Sequence, residues 1–366
     1  MARSASLALA RNIAVVAIAA GAWSLQADQA ASIRSPLEHL TKEQRRDAIA
    51  HAAVWSPTNV PSMDLRVGPQ GKGAFAPFAT VTCDYVDEKP SGAAPKFFCA
   101  VAPGDEVKVK YGGTNVEVYA EVAATRLLWA LGFGADRMYP VHVVCRGCPA
   151  DPDADATHKL PEVTFDAAAI ERKMPGKTME THSDEGWSWA ELDSVDATEG
   201  TTQRAQRDAL KLLAVLLQHT DNKSRQQRLI CLPGESAVET DGLCGKPFMM
   251  ISDVGLTFGR ANQFNRSRLS GANFERWSGV RVWKDPKSCV GKLSGSATGT
   301  LTDPRISEAG RKFLADLLLQ LSDAQLHDMF EVARFGQAGD ASIDQWVAAF
   351  KHKRDEIVGL TCPAGR

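Results

Sequence analysis

Two periodicities divide the chain. Alternation of apolar and polar positions with period two predicts strands at residues 80–85, 96–101, 106–111, 141–145 and 163–172. In the third of these, that period places Lys108 and Lys110 on one face. Helical spacing takes over at 115–131, where Val118, Val122, Leu127, Leu128 and Leu131 form the apolar stripe and Gly132 closes it. Glu117 and Glu121 are four residues apart, so they share a face of that helix. A second strong helix spans 202–218, with Ala209, Leu210, Leu213 and Leu217 in its buried stripe. Short strands follow at 228–232 and 247–252, and the C-terminus reads as three helices, 306–321, 322–335 and 342–358.

Connecting segments complete the layout. Residues 28–65 read as a surface segment with one short helix, 41–53, whose Thr41 N-cap and Gln44 form a capping box. Gly68-Pro-Gln-Gly71-Lys-Gly73 is a glycine-rich turn, residues 146–162 an acidic loop, and Lys173-Met-Pro-Gly176 a hinge. Residues 177–200 are polar, and 260–305 show no periodicity. Strands, a helix, more strands and then mostly helices make an α+β protein with two lobes, not an alternating βαβ sheet.

Composition narrows the class. Of 366 residues, 44% are hydrophobic and 23% charged, which excludes a disordered or fibrous chain. The net charge of −2 leaves no electrostatic footprint for nucleic acid. Residues 1–27 carry Arg3 and Arg11, no acid, and an apolar run over 13–23, the pattern of a cleaved signal peptide. That run falls well short of the ~20 residues needed to span a bilayer. No second long apolar run exists, so no membrane span is expected after cleavage. The eight cysteines, an even number in an exported chain, favour disulfides. Cys145-Arg-Gly-Cys148 also has the spacing of a redox or zinc pair.

Two polar segments lie where elements end. One is 219–226, His-Thr-Asp-Asn-Lys-Ser-Arg-Gln, directly after the second helix; the other is Ser252-Asp253-Val254-Gly255, directly after a strand. Phosphoryl transfer needs such a pair, one carboxylate for the acceptor hydroxyl and another for Mg²⁺ on the phosphates. It also needs a lysine on the phosphates, oriented by a helix glutamate, and Lys108 or Lys110 with Glu117 or Glu121 supplies both in order.

Residues 219–226 resemble the protein-kinase catalytic loop H-R-D-x-K-x-x-N, and Asp253-Val254-Gly255 resembles D-F-G. Ala120-Glu121-Val-Ala-Ala, leading to Leu131-Gly132-Phe133, is similar to the αC helix of secreted atypical kinases of the Golgi casein kinase type, and to lipid-kinase-like and HipA-like sequences. The resemblance runs over roughly 65–335 in element order, with sharp matches at some twenty residues. It implies a two-lobed kinase-like fold, with an N-lobe over 66–175 and a C-lobe over 176–366. It implies ATP with Mg²⁺ or Mn²⁺, Asp221 as catalytic base and Lys223 beside the γ-phosphate. Lys110, ahead of Lys108, would be the phosphate lysine, Glu121, ahead of Glu117, its partner, and Asp253 and Gln226 the metal ligands. Gly68, Gly71 and Gly73 are the candidate phosphate cradle, although they form G-x-x-G-x-G and not G-x-G-x-x-G. Gln226 stands where the family has Asn, and no A-P-E motif follows Asp253.

The expected function is therefore an exported phosphotransferase acting on an unidentified protein, lipid, sugar or small-molecule acceptor. A kinase-fold nucleotide-binding protein without catalysis is the alternative that Gln226 favours, and a disulfide-stapled structural protein is the third. Cys231 and Cys244 bracket the excursion between strands 228–232 and 247–252, which would be neighbours in a kinase C-lobe, and that implies a disulfide between them. Cys83 and Cys99 lie on adjacent predicted strands and are the next pair; the pairing of Cys145, Cys148, Cys289 and Cys362 stays open.

Overall fold

The period-two segments pair as their alternation requires. The computed structural model describes residues 40–180, 186–195, 201–233, 244–259, 272–293 and 299–363; the expected signal peptide lies outside them. Helix α1 (Lys42–His51) is the first element of the described residues, with the Thr41/Gln44 capping box in place. Strands β1 (Thr80–Val86), β2 (Lys96–Ala102) and β3 (Asp105–Tyr111) form an antiparallel meander. Helix α2 (Glu117–Ala130) follows, then β4 (Gly134–Ala135), β5 (Arg137–Arg146), a hairpin of β6 (Pro149–Asp151) and β7 (Asp155–Lys159), and β8 (Glu162–Arg172). Strand β8 joins β3 to β5, and β5 pairs in parallel with β1, closing a barrel in the order β1-β2-β3-β8-β5. Phe97, Val107, Val109, Tyr139 and Ile170 fill it, so their strand neighbours Lys108 and Lys110 face outward.

The rest is mostly helical. After β9 (Lys177–Thr178) come α3 (Glu191–Ser194), α4 (Thr201–Leu217), β10 (Gln227–Cys231) and β11 (Phe248–Ile251). A small sheet in the order β4-β11-β10-β9 joins the end of α2 to this second part. Then follow α5 (Phe274–Ser278), the pair β12 (Trp283–Asp285) and β13 (Val290–Gly291), and α6 (Glu308–Leu318), α7 (Asp323–Val332) and α8 (Ile343–Val358). Phe258, Trp277, Phe330, Phe335, Trp346 and Phe350 build one aromatic core among these helices, mostly in edge-on or tilted contacts. The architecture is α+β in the two-lobed, kinase-like manner, β-rich first and helical second.

Three expectations need correction. The 28–65 segment is not merely surface: Ile49, Val54, Val60 and Leu65 are fully buried, and Ala53 and Trp55 bridge to Phe248 and Phe133. Its isolated apolar residues carry no period, because they plug gaps in other elements and do not form a face of their own. The 146–162 loop contains the β6–β7 hairpin, whose mostly exposed residues leave no apolar alternation to read. The stretch 260–305, which shows no periodicity, contains α5, β12 and β13, each too short to display one.

Four disulfides are present: Cys83–Cys99, Cys145–Cys148, Cys231–Cys244 and Cys289–Cys362. They settle the open pairing and are consistent with an oxidising, exported location. Among the described residues, no helix is long and apolar enough to cross a membrane.

Candidate functional site

The site begins at the end of β3. Asn115 accepts from the Glu117 N–H at 3.2 Å and donates to the carbonyls of Tyr111 and Pro95, both at 3.0 Å. One side chain thus ties the end of β3, the approach to β2 and the first turn of α2. The first turn of α2 then meets Lys110. Its ammonium lies 2.9 Å from Glu117 Oε2 and 2.5 Å from Glu121 Oε2, so both candidate glutamates hold it. Lys108 is bound instead to Glu171 of β8 through both carboxylate oxygens, at 2.9 Å. Period two could not separate the two lysines; their partners do.

Electrostatics follow from this packing. Burial pulls the Lys110 ammonium down, but Glu117, Glu121 and Asp253 outweigh it and hold its pKa well above the usual lysine range. Burial pushes Glu121 up to about 8 against the pull of Lys110, with Asp253 and Glu171 adding to the rise. Burial also opposes ionisation of Asp253, yet Lys110, the Gly255 N–H and Lys96 keep its pKa below normal. Three carboxylates around one buried ammonium leave the site short of positive charge.

The second cluster forms below. Helix α4 ends with Gln218 in the left-handed region (φ 57°), its N–H on the Val215 carbonyl and the His219 N–H on the Ala214 carbonyl, at 3.1 and 2.9 Å. These are the paired bonds of a Schellman cap. The Gln218 amide donates to the carbonyls of Val215 and Lys292, both at 2.8 Å, which helps to hold a non-glycine residue there. The cap turns the chain into the 219–226 loop. Buried Asn222 anchors that loop, donating to the His219 carbonyl at 2.8 Å and accepting from the Leu301 N–H at 2.8 Å. The Asp221 carboxylate accepts from Lys223 Nζ at 2.8 Å and from the Gln226 amide at 3.1 Å. The Gln226 side-chain carbonyl accepts the Lys223 N–H at 3.2 Å. His219 is buried with neither ring nitrogen hydrogen-bonded, and burial lowers its pKa to about 4 although Asp253 and Asp221 oppose.

The two clusters meet at 252–255. Strands β10 and β11 pair Gln227 with Ile251, bringing the residues beyond each strand together. Asp253 Oδ1 accepts the Gly255 N–H at 3.1 Å. Gly255 packs on Glu117: a Cβ there would lie 2.7 Å from Glu117 Cγ, so only glycine lets the segment reach α2. Lys110, Glu117, Glu121 and Asp253 therefore form one cluster, while Asp221, Lys223 and Gln226 form a second, joined to it through Ser252.

The glycine-rich turn lies elsewhere. The Gly73 carbonyl accepts from Arg172 at 3.1 Å, and Arg172 is ion-paired with Asp105 at the start of β3. Five residues, roughly 16 Å of strand, separate that end from Lys110. Gly68 packs against the Arg126 guanidinium, and Gly71 is open. The structure does not bring Gly68, Gly71 and Gly73 to the lysine.

Sequence reasoning missed Lys96 and Asn115. Lys96 sits opposite Lys110 in the β2–β3 register. The signal was the alternation of 96–101, which buries Phe97 and Cys99 and so turns Lys96 to the face of Lys108 and Lys110. At the expected hinge, Lys173 pairs with Asp136 at 2.9 Å and Glu171 at 2.6 Å, and the Met174 N–H donates to Asp136 at 2.8 Å.

No protein-family model and no curated protein matches the chain. Among solved structures, the crystal structure of a Helicobacter pylori proinflammatory kinase, CtkA, aligns with 78% of this chain and 95% of that one, at 11% identity and a TM-score of 0.40.

Proposed function

We propose that this chain is an exported kinase-fold phosphotransferase that takes ATP with Mg²⁺ or Mn²⁺ and passes phosphate to an acceptor hydroxyl. The observation that carries the reading is the buried Lys110 held by two α2 glutamates, with the Asp253–Gly255 turn against one of them. That is the charge arrangement a triphosphate and a metal require: a fixed ammonium for phosphate oxygens beside hard carboxylate oxygens.

The residues present fit a divalent cation. Asp253 and its neighbours are oxygen donors with excess negative charge. Asp253 would hold the metal, with Glu117, which packs on Gly255, the further oxygen donor at that turn, and Gln226 the ligand that the resemblance of the 219–226 loop adds. When bound, the metal supplies charge neutralisation on the phosphates. Lys110 orients phosphate oxygens, Asp221 takes the acceptor proton, and Lys223 neutralises the charge beside it.

The second reading, nucleotide binding with little turnover, rests on Gln226. Its amide donates to Asp221 and its carbonyl accepts the Lys223 N–H. In that pose the side-chain carbonyl is engaged by one donor and Asp221 by two before any metal or acceptor arrives.

The test is transfer itself. The full exported chain is incubated with ATP labelled at the α- or the γ-phosphate, with Mg²⁺ or Mn²⁺, and label is followed into the protein, added acceptors and free phosphate. Transfer of γ label supports phosphotransfer, and transfer of α label would replace it with adenylyl transfer. Nucleotide binding without either supports the second reading, and absence of binding removes both.

A further inference from the structure

Two disulfides touch inside the barrel. Strand β1 lies between β2 and β5, and its parallel pairing with β5 sets Cys83 directly opposite Cys145. Its antiparallel pairing with β2 sets Cys99 opposite Tyr85, diagonal to Cys83. All three cysteines are buried in the barrel core. Their sulfurs lie within 4.8 Å of one another, and Cys99 Sγ is 3.7 Å from Cys145 Sγ. Those two sulfurs belong to different disulfides, Cys83–Cys99 and Cys145–Cys148. At the end of β5, Arg146 and Gly147 form an exposed turn that brings Cys148 back to Cys145. Gly147 has φ 63°, which glycine adopts without strain, and nothing lies within 4 Å of where its Cβ would be. The Cys145–Cys148 pair therefore reaches from beneath an open surface turn to the inner disulfide.

We infer that Cys145–Cys148 is a thiol-exchange site, through which an external dithiol opens the buried Cys83–Cys99 staple. No residue of the nucleotide site takes part, so the inference stands apart from that reading. One thiolate of the dithiol attacks Cys148 Sγ, the sulfur not packed on Cys99, forming a mixed disulfide and releasing Cys145 as a thiolate. Cys145 Sγ then attacks Cys99 Sγ: the Cys99–Cys145 bond forms, the Cys83–Cys99 bond breaks, and Cys83 leaves with the electron pair. Their 3.7 Å separation approaches the roughly 3–3.5 Å of reacting atoms poised for attack. The second thiol of the dithiol closes on its own sulfur in the mixed disulfide and releases Cys148. The dithiol gives up two electrons and becomes a disulfide, and its two protons end on Cys83 and Cys148. The protein keeps one disulfide of the two, and the staple that joined β1 to β2 now joins β2 to β5.

The experiment is peptide mapping of the full exported chain after limited treatment with dithiothreitol, a small dithiol, then acid quenching and alkylation. It is run on wild type, Cys148→Ser and Cys145→Ser. The first reduced species of wild type should carry label on Cys83 and Cys148 and yield a Cys99–Cys145 peptide. Cys148→Ser, mapped without reductant, starts with Cys145 as the free thiol; label should move from Cys145 to Cys83, again with a Cys99–Cys145 peptide. In Cys145→Ser the sulfur in contact with Cys99 is gone, so Cys83–Cys99 should stay intact and Cys148 alone be labelled. Wild-type label on Cys145 and Cys148 with Cys83–Cys99 intact would overturn the relay. So would label on Cys145 alone in Cys148→Ser, or a Cys145–Cys148 bond that the dithiol leaves closed in the folded wild type. The wild-type arm keeps the inference testable if either variant fails to fold.

Discussion

The Ser252 N–H donates to the main-chain carbonyl of Gln226 at 2.7 Å, and the Ser252 hydroxyl donates to the same oxygen at 3.0 Å. This doubled bond joins two sequence motifs into one piece of backbone. Asp253 follows Ser252 directly, Asp221 accepts from the Gln226 side-chain amide, and His219 lies in the field of both. Any motion of one segment therefore carries the other, which suits the shared role proposed above for the two carboxylates.

Lys110 should be the stability keystone of the site. Lys110→Met leaves Glu117, Glu121 and Asp253 facing each other without their cation. Breaking a buried pair on one side costs about 3–5 kcal/mol. Denaturant unfolding should show that loss at pH 8, and a smaller one at pH 5, where the freed carboxylates take up protons in the folded state. Adding Glu117→Gln should recover part of it, since one of the repelling charges is gone.

His219 predicts a pH dependence of known sign. Its folded pKa is about 4, below the ordinary 6.5, so the unfolded chain binds the extra proton between those values. Stability should rise with pH across that window and be fully lost from this source below about pH 4, a difference of about 3 kcal/mol. Unfolding free energies at intervals from pH 4 to 7 measure it. In His219→Asn the slope over that window should flatten.

How much of this was legible beforehand varies with how local the signal is. Lys110 and the two glutamates could be read because period two and a spacing of four are local facts. Choosing Lys110 over Lys108 needed the partner strand, since only β8 brings Glu171 to Lys108. Lys96 has no local signal of its place, since it comes opposite Lys110 only once β2 and β3 pair. The glycine-rich turn drew attention by composition, yet Gly68 and Gly73 serve close approach to Arg126 and Arg172. Trp187 and Trp189, both fully buried, support the 219–226 loop: the Trp189 N–H donates to Thr300, which lies beside Asn222. That link spans more than a hundred residues, and no local pattern encodes it.

The Cys289–Cys362 disulfide should contribute most among the four. It joins residues 73 apart, and loop-closure entropy for that span is worth about 4 kcal/mol. It also fastens the chain beyond α8 to the β12–β13 region. Replacing both cysteines with alanine should lower the unfolding free energy by about that amount. Non-reducing peptide mapping of the wild type should recover the four pairs given above.

The central claim is that Lys110, Glu117, Glu121 and Asp253 form one metal-dependent nucleotide site, with Asp221 serving the acceptor. Its most direct measurement is ATP affinity by calorimetry, with and without Mg²⁺ or Mn²⁺, for wild type, Asp253→Ala and Asp221→Ala, alongside turnover. The account predicts metal-dependent binding by wild type and its loss in Asp253→Ala. Asp221→Ala should keep that binding and lose turnover by about 10²–10⁴-fold, the worth of a positioned base. Metal-dependent binding that survives in Asp253→Ala, or no binding by wild type with either metal, would contradict it.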